Sequence, residues 1–348
     1  MAKAIVAMSG GVDSSVAAML TLKNGDEAKG VTLRLHTVQQ GVCGSADEAA
    51  LAGEICRSLG IPHEIRDAQG EFRTCVMDPF AESYLQAKTP NPCIRCNQHL
   101  KFGFLLEKAL QEGADYLVTG HYARVEQAEN GRWLLKKGIS PQKDQSYVLY
   151  TLTQHQLAHL RLPLGGMTKE EVRALAAQAG LSNSEKPDSQ DICFVPGGAY
   201  AKFIWDYTGH TPEPGDFIDL DGCILGQHGG IECYTVGQRK GIGIAGTHAY
   251  YVVAKNADRN TVMLGEDEDL WQDELRADAV NWIAFDRPEQ PFSCAARTRY
   301  HQEETPCTVF PEGDGVRVRF ERPIRAITPG QAVVFYDGDT VLGGGTIL

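Results

Sequence analysis

The sequence predicts an α/β protein with a parallel sheet in its N-terminal part and an antiparallel β-barrel at its C-terminus. Over the first 200 of the 348 residues, strand-like and helix-like segments alternate, which is typical of a parallel sheet with helices on both faces. Beyond Ala201, helical periodicity becomes rare, and short alternating runs lie between Gly, Pro and Asp turns. The last ~75 residues therefore predict a small antiparallel barrel.

The N-terminal elements follow from the spacing of apolar residues. A short apolar run at 3–8 ends at a Ser-Gly-Gly turn, as a buried strand does. Apolar residues at Val16, Ala17, Met19 and Leu20 then predict a helix over 13–22. By the same reasoning, the further strands are 30–35, 62–66 and 115–119, and the further helices are 47–59, 71–87 and 96–111.

The C-terminal strands show a different period. Residues 316–320 (VRVRF) alternate apolar and basic side chains, as a half-buried strand does. Residues 332–336 and 339–342 flank Asp337-Gly338, a hairpin-turn dipeptide. Between the two parts of the chain lies the acidic stretch 266–274, which we interpret as a linker or domain boundary.

Charge and hydropathy exclude some classes of protein. The net charge of −12 comes from 33 Lys and Arg against 45 Asp and Glu. It argues against a generic protein that binds polyanions without regard to their sequence. Residues 266–275 carry six of the acids and no base, so local basic clusters such as Lys136, Lys137 and Lys143 can still meet phosphates. No apolar run approaches the ~20 residues of a membrane span, and we recognise no targeting segment. We therefore expect a cytoplasmic protein with no membrane partner.

The ten cysteines fit neither of the usual structural explanations. Disulfide frameworks are typical of short secreted chains, and a zinc finger needs more than the one Cys-x-x-Cys pair, Cys93 and Cys96. We expect most of the other cysteines to be small buried apolar residues.

Residues 9–15 (SGGVDSS) lie between the first strand and the first helix and predict a phosphate-binding loop. The two glycines let the backbone approach a ligand closely, and the helix N-terminus offers N–H donors to an anion. Asp13 could hold a metal ion or cap the helix. No lysine follows the glycines, which excludes the Gly-x4-Gly-Lys-Ser/Thr loop.

Two segments carry candidate reactive cysteines. In 88–102 (KTPNPCIRCNQHLKF), two prolines precede a helix with Cys96 near its start, where the helix N-terminus, Arg95 and Lys101 would lower the pKa of the thiol. Cys193 follows the polar segment 188–191 (DSQD), an unusual place for a buried structural thiol. The spacing alone favours neither a structural nor a functional role for either of these two cysteines.

The motifs taken together resemble one family. SGGVDSS is similar to the loop of the ATP pyrophosphatases (the PP-loop superfamily), which cleave ATP between the α- and β-phosphates. After it come, in order, TPNPCIRCNQHLKF, TGHYAR, KDQSYVLYTL, DSQDICFVPGG, YTVGQRKGIGI, TRYH and TPGQAVVFY. This series resembles the tRNA-specific 2-thiouridylase family over essentially the whole chain. The resemblance implies a HUP/Rossmann-like ATP-pyrophosphatase domain (1–200), a small central domain (201–270) and a C-terminal β-barrel domain (271–348).

The resemblance also implies a reaction, the ATP-dependent 2-thiolation of the wobble uridine (U34) of tRNA. ATP, with Mg²⁺, adenylates the C2 oxygen and releases pyrophosphate, and a sulfurtransferase partner loads a persulfide onto Cys193. The terminal sulfur attacks C2 and AMP leaves. Cys96, the family's nucleophile, attacks the persulfide to free sulfide, or forms a Cys96–Cys193 disulfide that a reductant reopens. Family members act on the tRNAs for Lys, Glu and Gln.

By the same resemblance, three sets of residues have expected contacts. The ATP contacts are Ala7, Met8, Ser9, Gly10, Gly11, Val12, Asp13, Ser14, Leu33 and Gly120. The residues that face the target base are Asn91, Pro92 and Cys93. The remaining tRNA contacts are Lys143, Asp144, Gln145, Arg299 and Tyr300.

One residue departs from the family pattern and leaves alternatives open. Many members carry Asp where this chain has Cys93, so Cys93, Cys96 and Cys193 could instead be three ligands of a [4Fe–4S] cluster. An amidoligase with the same phosphate loop is a second alternative, although it would need neither Cys193 nor the barrel. A non-catalytic RNA-binding or sulfur-carrier protein is a third.

Overall fold

The computed structural model describes residues 1–36, 44–187, 191–246 and 248–348. The N-terminal part contains a parallel sheet of five strands in the order β3-β2-β1-β4-β7. The strands up to residue 161 are β1 (Lys3–Ala7), β2 (Glu27–Arg34), β3 (His63–Asp67), β4 (Tyr116–Val118), β5 (Ala123–Gln127), β6 (Trp133–Lys137) and β7 (Leu160–Arg161). The predicted parallel sheet is confirmed.

Helices cover both faces of this sheet. They are α1 (Val12–Lys23), α2 (Ala46–Ser58), α3 (Gln69–Phe72), α4 (Asp78–Leu85), α5 (Pro92–Arg95), α6 (Leu106–Gln111), α7 (Gln154–Ala158) and α8 (Lys169–Gln178). π-helical segments join α3 to α4 (Arg73–Met77) and α5 to α6 (Cys96–Leu105). In β1, Ile5 packs into one core and Val6 into the other, because alternate strand residues point to opposite faces.

The strand order places a ligand site at one edge of the sheet. β1 pairs with β2 on one side and with β4 on the other, so the chain reverses its direction of winding between β1 and β4. Ligands of such sheets bind outside the carboxyl ends of the strands at this point. The segment 9–15 follows β1, and Gly120 follows β4.

The hairpin β5–β6 leaves the parallel sheet and extends the C-terminal one. β6 pairs antiparallel with the last strand of the chain, with Lys136 opposite Thr340 and Leu135 opposite Val341. The local sequence of the predicted domain 1–200 gives no sign of this pairing. The N-terminal and C-terminal parts therefore share a sheet.

The central part follows helix α9 (Tyr200–Thr208). It is a four-stranded sheet in the order β10-β11-β8-β9, formed by β8 (Gly215–Ile218), β9 (Ile224–His228), β10 (Tyr251–Asn256) and β11 (Thr261–Gly265). Tyr200 of α9 donates a hydrogen bond to the Cys233 carbonyl oxygen (3.1 Å), which ties the helix to the 3-10 turn Ile231–Cys233 that follows β9.

The C-terminal strands close into the predicted antiparallel barrel. They are β12 (Trp271–Trp282), β13 (Phe292–Arg297), β14 (Thr305–Glu312), β15 (Gly315–Arg325), β16 (Ala332–Asp337) and β17 (Thr340–Ile347). β12 pairs with both β15 and β17, so six strands form a closed ring. Val318, Val333 and Phe335 fill its interior.

Of the two interpretations of the acidic stretch 266–274, a linker or a domain boundary, the linker interpretation is only partly right, because β12 begins within it. Its second half begins β12, where Glu274 lies opposite Arg319 and accepts a hydrogen bond from Arg317 (3.1 Å). Asp267 accepts two hydrogen bonds from Arg325 (3.0 and 2.8 Å). The basic partners come from β15, about fifty residues later, so the local sequence could not reveal them.

Among the described residues, no helix is long and apolar enough to cross a membrane.

Candidate active site

The phosphate loop leaves the first N–H groups of α1 without a side-chain cap. Gly11 occupies the N-cap position and offers no side chain to them. Ser14 Oγ instead accepts from Ser9 N (3.2 Å) and donates to the Gly11 carbonyl oxygen (2.9 Å), which holds the loop in its turn. A helix N-terminus of this kind attracts an anion.

The Asp13 side chain does not cap α1. Its Oδ1 accepts from Tyr122 Oη (2.7 Å), and both carboxylate oxygens accept from Lys169 Nζ (2.8 and 2.9 Å). Lys169 is 6% exposed and lies in the first turn of α8. The site thus contains the lysine that the loop sequence lacks. The loop sequence could not reveal Lys169, because this lysine lies 156 residues further along the chain.

The other expected nucleotide contacts surround this loop. Met8 and Val12 are buried in the core, so only their backbones are available to a ligand. Gly120 packs against the start of α1, where a Cβ would lie 2.7 Å from the Asp13 carbonyl carbon. Ala7 and Leu33 lie near the carboxyl ends of β1 and β2, at the same edge of the sheet.

Cys96 and Cys193 pack against one apolar cluster, although they are 97 positions apart in sequence. The cluster includes Leu35, which follows β2, together with Phe72 and Phe194. Because β1 and β2 are neighbouring parallel strands, this cluster lies at the sheet edge that carries the phosphate loop. Both expected cysteines therefore pack on a cluster at the sheet edge that carries the expected nucleotide site.

The helix that carries Cys96 begins earlier than predicted. It starts at Pro92, because Asn91 Oδ1 accepts a hydrogen bond from Cys93 N (3.1 Å) and caps the first turn. Cys93 is exposed in this turn, and Cys96 is half-buried where it ends. Arg95 Nε donates to the Cys75 carbonyl oxygen (2.7 Å), so its side chain also fastens this helix to the preceding one.

The described part of the chain shows no metal-holding group at Cys93, Cys96 and Cys193, so the [4Fe–4S] alternative stays a prediction. Over 1–36, 44–187, 191–246 and 248–348, no three His, Cys, Asp or Glu side chains form a group that could hold a metal ion. Cys96 and Cys193 pack on the apolar cluster, whereas Cys93 is exposed and lies close enough to Tyr300 to affect its pKa. Residues 188–190 of the Cys193 motif lie outside the described part of the chain.

A cavity of about 500 Å³ opens where the three parts of the chain meet. It is lined by Thr89, Thr235, Arg299, Tyr300, His301, Gln302, Thr328 and Gln331. Gln331 Nε2 donates to the Thr89 carbonyl oxygen (2.7 Å), and Thr89 N donates to the Pro329 carbonyl oxygen (2.8 Å). These bonds hold the barrel against the segment that leads to Asn91.

Arg299 and Tyr300 both line this cavity, but Arg299 also joins two domains. Its Nη2 donates to the carbonyl oxygens of Val236 and Ala326 (both 3.1 Å) and to Thr328 Oγ1 (2.8 Å). Burial and the nearby Arg325 lower the pKa of Arg299. Burial, with the acidic groups of Asp144 and Cys93, raises the pKa of Tyr300 to about 12, so its phenol is neutral at physiological pH.

Two of the three expected tRNA contacts at 143–145 are engaged inside the protein. Asp144 is 4% exposed and accepts hydrogen bonds from Gly138 N, Ser146 N, Ser146 Oγ and Arg297 Nη1 (2.9 to 3.2 Å). Gln145 Oε1 accepts from Tyr122 N (2.9 Å), so Gln145 supports the residue that contacts Asp13. Lys143 is half-buried.

The neighbouring lysines are paired within the protein. Lys136 Nζ lies 3.0 Å from Glu126 Oε2, and Lys137 forms an ion pair with Glu304. This basic cluster is therefore largely neutralised by side chains of the hairpin and the barrel, which the local sequence did not reveal.

The fold and the loop define an α/β nucleotide-binding enzyme of the PP-loop class. The family model described as tRNA methyl transferase HUP domain matches residues 2–197. The tRNA methyl transferase PRC-barrel domain matches 201–266, and the aminomethyltransferase beta-barrel domain matches 272–347. Together these matches cover nearly the whole chain in the expected order.

Curated relatives match over the full length. The tRNA-specific 2-thiouridylase MnmA of Lachnoclostridium phytofermentans is 47% identical over 100% of both chains. The protein of the same name from Geotalea uraniireducens is 48% identical over 99% of this chain and 94% of its own. That from Symbiobacterium thermophilum is 47% identical over 99% and 92%. The chain belongs to the tRNA-specific 2-thiouridylase family.

Solved structures are less similar. The U34-tRNA thiolase NcsA from Methanococcus maripaludis, with its [4Fe-4S] cluster, has a TM-score of 0.35 and 18% identity over 60% of this chain and 65% of its own. A 4-thiouridine synthetase in complex with RNA and ATP has a TM-score of 0.38 and 18% identity over 59% and 50%. Likenesses of this size carry no functional conclusion.

Proposed function

We propose that the protein catalyses the ATP-dependent 2-thiolation of the wobble uridine of tRNA. The observation that carries this proposal is the packing of Cys96 and Cys193 on one apolar cluster, at the sheet edge that carries the phosphate loop. Relatives that match the chain over its full length are named for the same activity, which supports it.

The loop acts in the first step, in which the C2 oxygen of uridine attacks the α-phosphorus of ATP and pyrophosphate leaves. The N–H groups at the start of α1 stabilise the negative charge that develops on the departing phosphates. Lys169 holds Asp13 in place through its two hydrogen bonds. Asp13, a carboxylate beside the loop, would hold Mg²⁺, and this ion neutralises phosphate charge when it is bound.

The cysteines act in the second step. A sulfurtransferase first converts the Cys193 thiol to a persulfide. Its terminal sulfur attacks C2, the C2–O bond breaks and AMP departs, so that tRNA and Cys193 are joined through a disulfide. The Cys96 thiolate then attacks the Cys193 sulfur, which releases 2-thiouridine and leaves a Cys96–Cys193 disulfide. A dithiol reductant supplies the two electrons that restore both thiols.

The target uridine enters from the side of the cavity. Asn91, Pro92 and Cys93, at the start of α5, face this base. Tyr300 lines the cavity and offers an aromatic face and a neutral phenol to an extruded base. Lys143 and Arg299 contact the tRNA, while Asp144 and Gln145 hold the surrounding backbone. The acceptors we propose are the tRNAs for Lys, Glu and Gln.

Reconstitution tests the proposal. Purified protein is incubated with ATP, Mg²⁺, unmodified tRNA, a cysteine desulfurase and cysteine, and nucleosides and pyrophosphate are measured. We expect 2-thiouridine at position 34 and pyrophosphate release that depends on tRNA. Cys223→Ser, at an exposed cysteine of the central part, is the matched control and should retain activity.

Other outcomes point to the other classes of protein. Pyrophosphate release that depends on an amine instead of tRNA would indicate an amidoligase. Persulfide on Cys193 without any 2-thiouridine would indicate a sulfur carrier. Either result would overturn the proposed reaction.

A further inference from the structure

Two cysteines that have no part in the proposed reaction face each other in the C-terminal barrel. Cys294 of β13 lies directly opposite Cys307 of β14 in the antiparallel register. Their Sγ atoms are 3.6 Å apart, and both thiols are free. Cys307 belongs to the barrel core and Cys294 packs against the same core, so the two side chains point to one face of the hairpin.

The placement of this pair is close to the geometry of a disulfide. Directly opposite residues of an antiparallel pair have Cα atoms about 4.5–5.5 Å apart, which lies within the usual range of disulfides. Formation of the bond would bring the two sulfur atoms together by about 1.6 Å, from 3.6 Å to about 2.0 Å. Rotation of the two side chains can supply this shift without a change in strand register.

The two thiols differ in their access to solvent. Cys307 is 2% exposed, whereas Cys294 is half-buried, so Cys294 is the thiol that a dissolved reagent meets first. The hydrogen bond with Cys307 and burial raise the pKa of the Cys294 thiol, which is therefore protonated at physiological pH. Because the thiolate is the reactive form, exchange at this pair is slow and requires sustained exposure to an oxidant.

A bond between these cysteines would fasten the hairpin that forms part of the cavity wall. The loop 298–304 joins β13 to β14. Four residues that line the cavity belong to this loop, namely Arg299, Tyr300, His301 and Gln302. Ala296 and Thr305, the pair next to the loop, are two positions from the cysteines, so the bond would lie close to the base of the loop.

We propose that Cys294 and Cys307 form a disulfide under oxidising conditions and that this bond fastens the barrel hairpin. The Cys294 thiolate attacks one sulfur of a low-molecular-weight disulfide and displaces the first thiol. Cys307 then attacks the Cys294 sulfur of the mixed disulfide, which forms the Cys294–Cys307 bond and releases the second thiol. The two cysteines lose two electrons, the added disulfide gains them, and the two protons pass to the released thiols.

Oxidation of the full-length protein with glutathione disulfide tests the proposal. After prolonged incubation at mildly alkaline pH, the protein is denatured, the remaining thiols are alkylated, and unreduced peptides are identified by mass spectrometry. We expect the Cys294 and Cys307 peptides to be joined in most molecules. The melting temperature should rise at least about 3 °C above that of the reduced protein, because the bond closes a loop of about 14 residues in the unfolded chain.

Three variants separate this bond from other products of oxidation. Cys307→Ser cannot form the bond, so it should lose the rise in melting temperature while other cysteines react as in the wild type. Cys294→Ser should behave in the same way, and it serves if the buried substitution at Cys307 impairs folding. Cys223→Ser, at an exposed cysteine of the central part, is the matched control and should keep the full rise.

The inference is overturned if Cys294 and Cys307 can still be alkylated after the treatment. It is equally overturned if they stop at mixed disulfides with glutathione or join other cysteines instead. A rise in melting temperature that persists in both Cys294→Ser and Cys307→Ser would also contradict it. These results are separate from the proposed function, because the test involves neither ATP nor tRNA.

Discussion

Replacing Gly120 with alanine should separate the two loops that form the nucleotide site. A Cβ on Gly120 would lie 2.7 Å from the Asp13 carbonyl carbon and 2.8 Å from Ser14 N. Both are backbone atoms of α1, so no side-chain rotation relieves the contact. Because ordinary contacts begin near 3.4 Å, the backbone must move by about 0.7 Å (3.4 − 2.7).

The displacement falls on the N-terminus of α1, so it should affect nucleotide binding as well as stability. We expect Gly120→Ala to lose about 1–3 kcal/mol of unfolding free energy through overpacking. We expect the affinity for an ATP analogue to fall at least about tenfold, which is about 1.4 kcal/mol. Calorimetric titration and urea unfolding measure the two effects.

A matched glycine controls for the change of residue. A Cβ on Gly166 would meet no atom within 4 Å, and the φ angle of Gly166 is not positive, so Gly166→Ala should leave both quantities near the wild-type values. If Gly120→Ala binds the ATP analogue with an affinity within about twofold of wild type, the close contact between Gly120 and the start of α1 is not part of the nucleotide site.

Three further predictions concern the cysteines and the pH dependence of stability. Cys193→Ser should abolish thiolation but keep tRNA affinity, measured by filter binding, near the wild-type value. Equal loss of both would contradict the separation of sulfur transfer from tRNA binding. Cys93→Ala should still thiolate tRNA from a persulfide donor, and anaerobically purified wild-type protein should lack stoichiometric iron. A brown wild-type protein whose colour and activity disappear in Cys93→Ala would contradict this. Hydrogen bonds from Arg66 and Lys29 lower the pKa of Glu64 from 4.5 to about 2. The unfolded chain therefore takes up this proton first as the pH falls, and the stabilisation present above pH 4.5 disappears towards pH 2. Urea unfolding should show that Glu64→Gln loses less unfolding free energy than the wild type over this pH interval. Equal slopes of unfolding free energy against pH in the two proteins would argue against the ion pair.

Local sequence patterns predicted most of the parallel sheet and the barrel. The strand at 3–8, the helix at 13–22 and the hairpin around Asp337-Gly338 depend on apolar spacing and turn residues within a few positions, and each is present. The pairing of β6 with β17 joins residues about 200 positions apart, and no local pattern encodes it. The barrel partners of the acidic stretch were missed for the same reason.

The candidate site was predictable as motifs but not as contacts. The loop 9–15, Cys96 and Cys193 stood out in the sequence because their residue types and surroundings are unusual. Lys169 and Asn183 could not be found this way, since each reaches the loop only after the chain has folded. The roles of the site residues and the domain boundaries at 200 and 270 stay predictions.

The most direct test of the proposed reaction follows isotopically labelled sulfur through a single turnover. Protein loaded with labelled persulfide is freed of the donor and mixed with ATP, Mg²⁺ and unmodified tRNA in the absence of reductant. We predict that the label begins on Cys193 and appears in 2-thiouridine, and that one Cys96–Cys193 disulfide forms for each uridine modified. Label that starts on another cysteine, or 2-thiouridine that forms while Cys96 and Cys193 both stay reduced, would contradict the proposed route of sulfur.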